Sequence, residues 1–193
     1  MKRIVAHLCL FAVVLTTLVT ARVVAAEKGG AISVSVIYFS ESGNTRRMAE
    51  TIVDGLMRVE GIEAKAFDLK ALDADYIKAS KCVIFGSPTY AAAMAPDLRQ
   101  WFVKHSREYD LAGKMGGMFS TANYYHGGSE LVLQNLAVQM LAKGMLVYSG
   151  GSAYGVPIIH LGPVAFEGRL EESEDLFLLW GERMATKVME VFG

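Results

Sequence analysis

Ser40-Glu41-Ser42-Gly43-Asn44-Thr45 is the stretch from which the fold can be read. It lies where an apolar, β-branched run, Ile32 to Phe39, gives way to a helical pattern beginning at Thr45. A strand-to-helix turn aims several free backbone N–H groups at one point, and the helix dipole adds positive potential there. Such a turn can hold a phosphate without a lysine. Gly43 lets the backbone come close, while Ser40, Ser42, Thr45 and Asn44 offer the hydroxyl and amide donors that phosphate oxygens accept. The stretch is not a Walker loop, which carries a Lys after its last Gly, and it lacks the further glycines of a dinucleotide fingerprint.

Outward from this turn, the eight residues Ile32 to Phe39 have the length and composition of a strand covered on both faces. Met48, Ile52, Leu56 and Val59 recur at helical spacing, and Gly61 closes that element as a C-cap would. Ala64 to Asp68 predicts a second strand, Asp73 to Ala79 a short helix, and Lys81 to Ser87 a third strand. Pro96 starts a helix carrying Leu98, Trp101 and Phe102. Lys114 to Ser120 reads as a fourth strand. Ser129-Glu130 opens a helix with Leu133, Leu136, Val138, Met140 and Leu141. Met145 to Ser149 is the expected fifth strand, Gly150 to Gly168 a long loop, and Leu176, Leu179, Trp180, Met184, Val188 and Val191 mark a last amphipathic helix. The alternation predicts an α/β fold, a parallel sheet with helices on both faces. Five strands suit the order 2-1-3-4-5, with ligands at the strands' carboxyl ends.

Residues 1–26 read as an export signal: Lys2 and Arg3, an apolar run from Ile4 to Leu18, then small residues up to Ala26. The expected location is periplasmic or otherwise extracytoplasmic, and an uncleaved segment would instead anchor the protein through residues 4–21. The remaining 27–193 make one domain. Cleavage removes three basic residues, Lys2, Arg3 and Arg22, and no acidic one, so the net charge of −1 becomes −4. No basic stripe announces nucleic-acid binding. Of two cysteines only Cys82 survives cleavage, which excludes a disulfide framework. It sits in a continuous apolar run and reads as a packed thiol.

Three unusual loops, residues 40–45, 87–94 and 120–128, follow the first, third and fourth strands, so the fold places them at one end of the sheet. Together they meet the needs of flavin mononucleotide (FMN). They supply a phosphate nest, an apolar slot with an aromatic face, and backbone groups for the ring edge. Tyr90 and either Tyr124 or Tyr125 are the candidate ring neighbours. The backbone around Pro88-Thr89 and Ala122-Asn123 would read the ring edge.

Ser40-x-Ser42-Gly43-Asn44-Thr45 resembles the phosphate loop of flavodoxins, Thr/Ser-x-Thr-Gly-Asn-Thr. Gly86-Ser87-Pro88-Thr89-Tyr90, followed by Met94, is similar to the Gly-Thr-Pro-Thr loop of the WrbA-like NAD(P)H:quinone oxidoreductases, a multimeric branch of the flavodoxin superfamily. His126-Gly127-Gly128 with Glu130 resembles the His-Gly-Gly-x-Glu of the same group, and Ala153-Tyr154-Gly155 its Pro-Tyr-Gly. The resemblance implies a flavodoxin-like three-layer sandwich binding FMN through Ser40, Ser42, Gly43, Asn44, Thr45, Pro88, Thr89, Tyr90, Ser120, Thr121, Ala122, Asn123, Tyr124 and Gly127. It makes His126 the candidate for substrate contact. Ala92-Ala93-Met94 departs from the group's Gly-Asn-Met, and the stretch before Tyr154 is shorter than the group's. Both departures bear on whether the chain forms the group's oligomer and enclosed quinone pocket.

Two functions follow. As an enzyme, bound FMN would take a hydride from NAD(P)H and pass two electrons to a quinone; the resemblance and the mild acidity favour this. As a carrier, it would exchange electrons with redox-protein donors and acceptors; export favours this, because NAD(P)H is a cytoplasmic reductant.

Overall fold

The computed structural model describes residues 30–193. The export-signal and anchor readings of residues 1–26 lie outside the described residues, and no described helix is long and apolar enough to cross a membrane.

In chain order the elements are β1 (Ile32–Tyr38), α1 (Asn44–Leu56), β2 (Ile62–Asp68), α2 (Ala74–Ala79), β3 (Cys82–Tyr90), β4 (Ala93–Met94), α3 (Pro96–Lys104), β5 (Met115–Ala122), α4 (Ser129–Ala142), β6 (Leu146–Val147), β7 (Val164–Phe166) and α5 (Glu171–Phe192). The parallel sheet runs β2-β1-β3-β5-β6, with β7 also paired to β5 and β4 folded back antiparallel on the end of β3. Setting that hairpin strand aside, this is the expected 2-1-3-4-5 order.

Because β1 and β3 are covered on both sides, they are apolar almost throughout. One face packs Val34, Val36 and Ile84 against Met48 and Ile52 of α1 and Phe177, Trp180 and Met184 of α5. The other packs Ile37, Val83 and Phe85 against Leu98 and Phe102 of α3 and Leu133 and Leu136 of α4. Trp101, Trp180 and Cys82 are all buried, as core readings require. Two glycines let α1 and α5 approach closely. A Cβ at Gly55 would lie 2.2 Å from Leu178 O, and one at Gly181 2.6 Å from Ile52 O. Arg47 reaches from α1 to Glu171 and Glu174 at the start of α5.

Several boundaries differ from those expected. α1 ends at Leu56, leaving Val59 in the turn, and Gly61 takes a positive φ of 86° just before β2 begins at Ile62. β3 continues through Pro88 to Tyr90, because Pro88 still pairs with Thr121 on β5. The expected fifth strand is divided. Only Leu146 and Val147 pair with the beginning of β5, and Val164–Phe166, from within the expected loop, takes the place beside its end. Val138 and Leu141 of α4 are exposed rather than buried, and so is Val191 of α5; Phe177 and the buried Arg183 occupy core positions that the periodicity did not single out.

Candidate functional site

The carboxyl ends of β1, β3 and β5 bring the three loops to one cavity of about 200 Å³. Ser42, Asn44 and Thr45 line it from the first loop, Pro88, Thr89 and Tyr90 from β3, and Thr121, Ala122 and Asn123 from β5. A second cavity of about 240 Å³ shares Thr89, Ala122 and Asn123 and adds Ala91, Tyr124 and Gly127.

The turn into α1 has the form an anion needs. Gly43 adopts φ 93°, a left-handed conformation costly for a side chain, and a Cβ there would meet nothing within 4 Å, so the space over the turn is open. Ser40 is not a lining residue; its Oγ accepts the Gly43 N–H at 3.1 Å and fixes the bend. Arg47 N–H donates to Gly43 O at 2.9 Å, the first bond of the helix. The N–H groups of Asn44, Thr45 and Arg46 precede it and have no intrahelical acceptor. Arg46 itself turns to Glu50 at 2.8 Å, so the cradle is built from backbone and hydroxyl donors.

Behind the cavity, hydroxyls tie the strands together. Thr45 Oγ1 and Thr121 Oγ1 lie 2.8 Å apart and buried. Ser120 Oγ is 3.0 Å from Thr89 Oγ1 and donates to Ser87 O at 3.0 Å. Ser120 is fully buried and supports the site from behind. Ser87 Oγ accepts the Ala95 N–H at 2.8 Å, holding the hairpin that follows Tyr90. That hairpin turns through Ala91 and Ala92, at φ 48° and 62°.

At the mouth, the Tyr90 hydroxyl donates to Glu41 Oε2 at 2.7 Å. Burial and then the Glu41 carboxylate push the Tyr90 phenol up to about 12. Glu41 and Glu167 both line the first cavity and were missed as site residues. Glu41 lay in plain view within the loop, but an acid beside a phosphate nest argues against itself. Glu167 could not be found locally, since it arrives through β7, where its N–H donates to Ala122 O at 2.9 Å.

The two candidate tyrosines separate clearly. Tyr124 lines the second cavity. Tyr125 packs on Phe166, with ring centroids 4.2 Å apart, and its hydroxyl accepts from Arg169. His126 is exposed on the same turn and lines neither cavity.

The residues present suit FMN: an open, glycine-formed helix start would receive its phosphate, Tyr90 and Tyr124 beside Pro88 and Ala122 would face its flat ring, and the backbone of Thr89 and Asn123 would meet its polar edge.

Comparison with known proteins agrees. A family model described as Flavodoxin matches residues 36–154. A protein named flavodoxin from Clostridium saccharobutylicum is 40% identical over 161 residues, covering 83% of this chain and 100% of that one. An NAD(P)H dehydrogenase (quinone) from Syntrophobacter fumaroxidans is 28% identical over 170 residues, covering 66% of this chain and 83% of that protein. Among solved structures, the flavodoxin, WrbA-like protein from Agrobacterium tumefaciens superposes with a TM-score of 0.68 at 21% identity, covering 83% of this chain and 99% of that one. At that identity the likeness concerns the fold.

Proposed function

The chain belongs to the flavodoxin family, and from that premise we propose that it is an FMN-binding electron-transfer protein whose flavin exchanges electrons with a redox-protein partner. Bound FMN supplies the chemistry, accepting and releasing electrons. The chain's residues bind and orient it. The free N–H groups at the start of α1 and the Ser42 and Thr45 hydroxyls hold the phosphate, Tyr90 and Tyr124 flank the ring, and the β3 and β5 ends exclude water from its inner edge. The observation that carries this reading is the convergence of β1, β3 and β5 loops on one cavity. The 40% match across the full length of a flavodoxin supports the carrier form.

A second reading, NAD(P)H:quinone oxidoreductase with His126 contacting substrate, is favoured by the relatives named NAD(P)H dehydrogenase (quinone). The two are separated by mixing the FMN-loaded protein anaerobically with NADH or NADPH. A carrier leaves the visible flavin absorbance unchanged with both nucleotides while dithionite bleaches it. Rapid bleaching by either nucleotide selects the reductase. The export reading extends the proposal: a carrier outside the cytoplasm has no NAD(P)H to draw on, and fractionation of cells would show the protein beyond the inner membrane.

A further inference from the structure

A groove of about 590 Å³, larger than either flavin cavity, lies beside Tyr90 between α3 and α4. Its volume falls in the range of about 300–1,000 Å³ typical of small-molecule sites. The floor is one helical stripe. Pro96, Arg99, Gln100, Val103 and Lys104 recur at the three- and four-residue spacing that puts side chains on a single face of α3. Leu98, Trp101 and Phe102 on the opposite face are buried in the core, so the stripe is surplus to folding. Val103 is 65% exposed, a large apolar side chain that packing does not account for.

The chemistry of the lining is one-sided. Met94, Pro96, Val103 and the Tyr90 ring give a flat apolar surface. Arg99 and Lys104 provide two positive charges, and among the described residues neither forms an ion pair. None of the lining side chains is acidic, in a protein whose overall charge is negative. Asp97, the carboxylate of α3, lines an adjoining cavity that shares Gln100, and its charge, like that of Glu41 on the Tyr90 hydroxyl, is felt at Tyr90, so a ligand's anionic end belongs at Arg99 and Lys104. Gln100 and Asn135 add amides able to donate or accept.

We infer that this groove binds a flat aromatic carboxylate, with the ring against Val103, Met94 and Tyr90 and the carboxylate held by Arg99 and Lys104. A guanidinium fork matches a carboxylate in two parallel hydrogen bonds, and the apolar part of the lining, Met94, Val103 and the Tyr90 ring, favours an aromatic acid over a small inorganic anion. Tyr90 lines both this groove and the flavin cavity, so a ligand here would sit next to the flavin without displacing it. The groove's residues are separate from the phosphate cradle, and its occupancy is tested apart from FMN binding.

The test is calorimetric titration of 2-naphthoate into the FMN-saturated protein, beside the uncharged 2-naphthamide. One naphthoate binds per chain, roughly tenfold tighter than the amide, and 0.5 M salt, on the order of a Debye length of only ~4 Å, weakens it several-fold. The Arg99→Gln/Lys104→Gln double variant loses that advantage, and Val103→Glu, an exposed change, abolishes binding. Both variants retain FMN, which shows that the fold and the flavin site are intact. Equal affinity for acid and amide, unchanged binding in the double variant, or no naphthoate binding to an FMN-loaded protein would each overturn the proposal. Failure to bind FMN would count against the flavin reading alone, and the same titrations of the FMN-free protein would then support or overturn the groove by the same outcomes.

Discussion

Thr45 Oγ1 and Thr121 Oγ1 are hydrogen-bonded at 2.8 Å across 76 residues of sequence, joining the first turn of α1 to the end of β5 inside the protein. Neither side chain is more than marginally exposed. The bond sets the distance between the phosphate cradle and the strand that carries Ala122 and Asn123. Thr45→Val leaves the Thr121 hydroxyl without its partner, at a cost of about 1–3 kcal/mol. Denaturant unfolding is expected to show that loss, and FMN titration an affinity roughly tenfold weaker, with Thr45→Ser close to wild type in both.

In the proposed function Tyr90 acts through its ring, and the Glu41 carboxylate holds the Tyr90 hydroxyl. Tyr90→Phe keeps the aromatic face and loses the bond to Glu41, so FMN affinity should change by no more than about threefold, the worth of one partly exposed hydrogen bond. Tyr90→Ala removes the face, worth about 0.5–1.5 kcal/mol beyond area. Fluorescence titration should therefore rank wild type, Phe and Ala in that order.

Glu41 and Glu167 place two carboxylates at the cavity. Electrons added to the flavin increase negative charge beside them, so both carboxylates disfavour reduction. Glu41→Gln and Glu167→Gln are each expected to raise the reduction potential of bound FMN by about 20–60 mV, the scale of one charge several ångströms away in a medium between protein and water. Spectroelectrochemistry measures this, and a fall in potential would contradict the placement of the charges.

Much of this architecture is legible in the residues themselves, and the exceptions have definite causes. Ile32 to Phe39 and the hexapeptide after it declare a buried strand and a phosphate turn because each signal is local. Tyr90 was expected in a loop and lies in a strand, because Pro88 suggests a break while its pairing with Thr121 carries β3 onward. The tight reversal after it was hidden, since Ala91 and Ala92 adopt a left-handed conformation usually left to glycine. The split edge strand was hidden for another reason. Val164–Phe166 replaces the end of the expected Met145 to Ser149 strand through pairing with β5, a non-local choice that periodicity cannot express. Glu167 follows that strand, so it was lost with it.

Cys82 is fully buried in β3, and burial pushes its thiol from 9.0 up to about 12. In the unfolded chain the thiol ionises first, so its contribution to stability is complete below pH 9 and is lost as pH rises toward 12. Tyr38 and Tyr76, raised mainly by burial from 10.0, follow at higher pH. Cys82→Ala, which removes the titrating group and leaves only a small void costing about 1 kcal/mol at neutral pH, should delay the onset of alkaline unfolding by roughly one pH unit. Circular dichroism against pH measures the shift.

The central claim is that the turn from Ser40 to Thr45 grips a phosphate ester of flavin. It is tested most directly by titrating the apoprotein with FMN and with riboflavin, which differ only in that phosphate. The account predicts one FMN per chain with its fluorescence quenched, and riboflavin weaker by at least about 100-fold, since several charge-assisted hydrogen bonds of about 1.5–3 kcal/mol each are lost. Equal affinity for the two, or no binding of either, would contradict it.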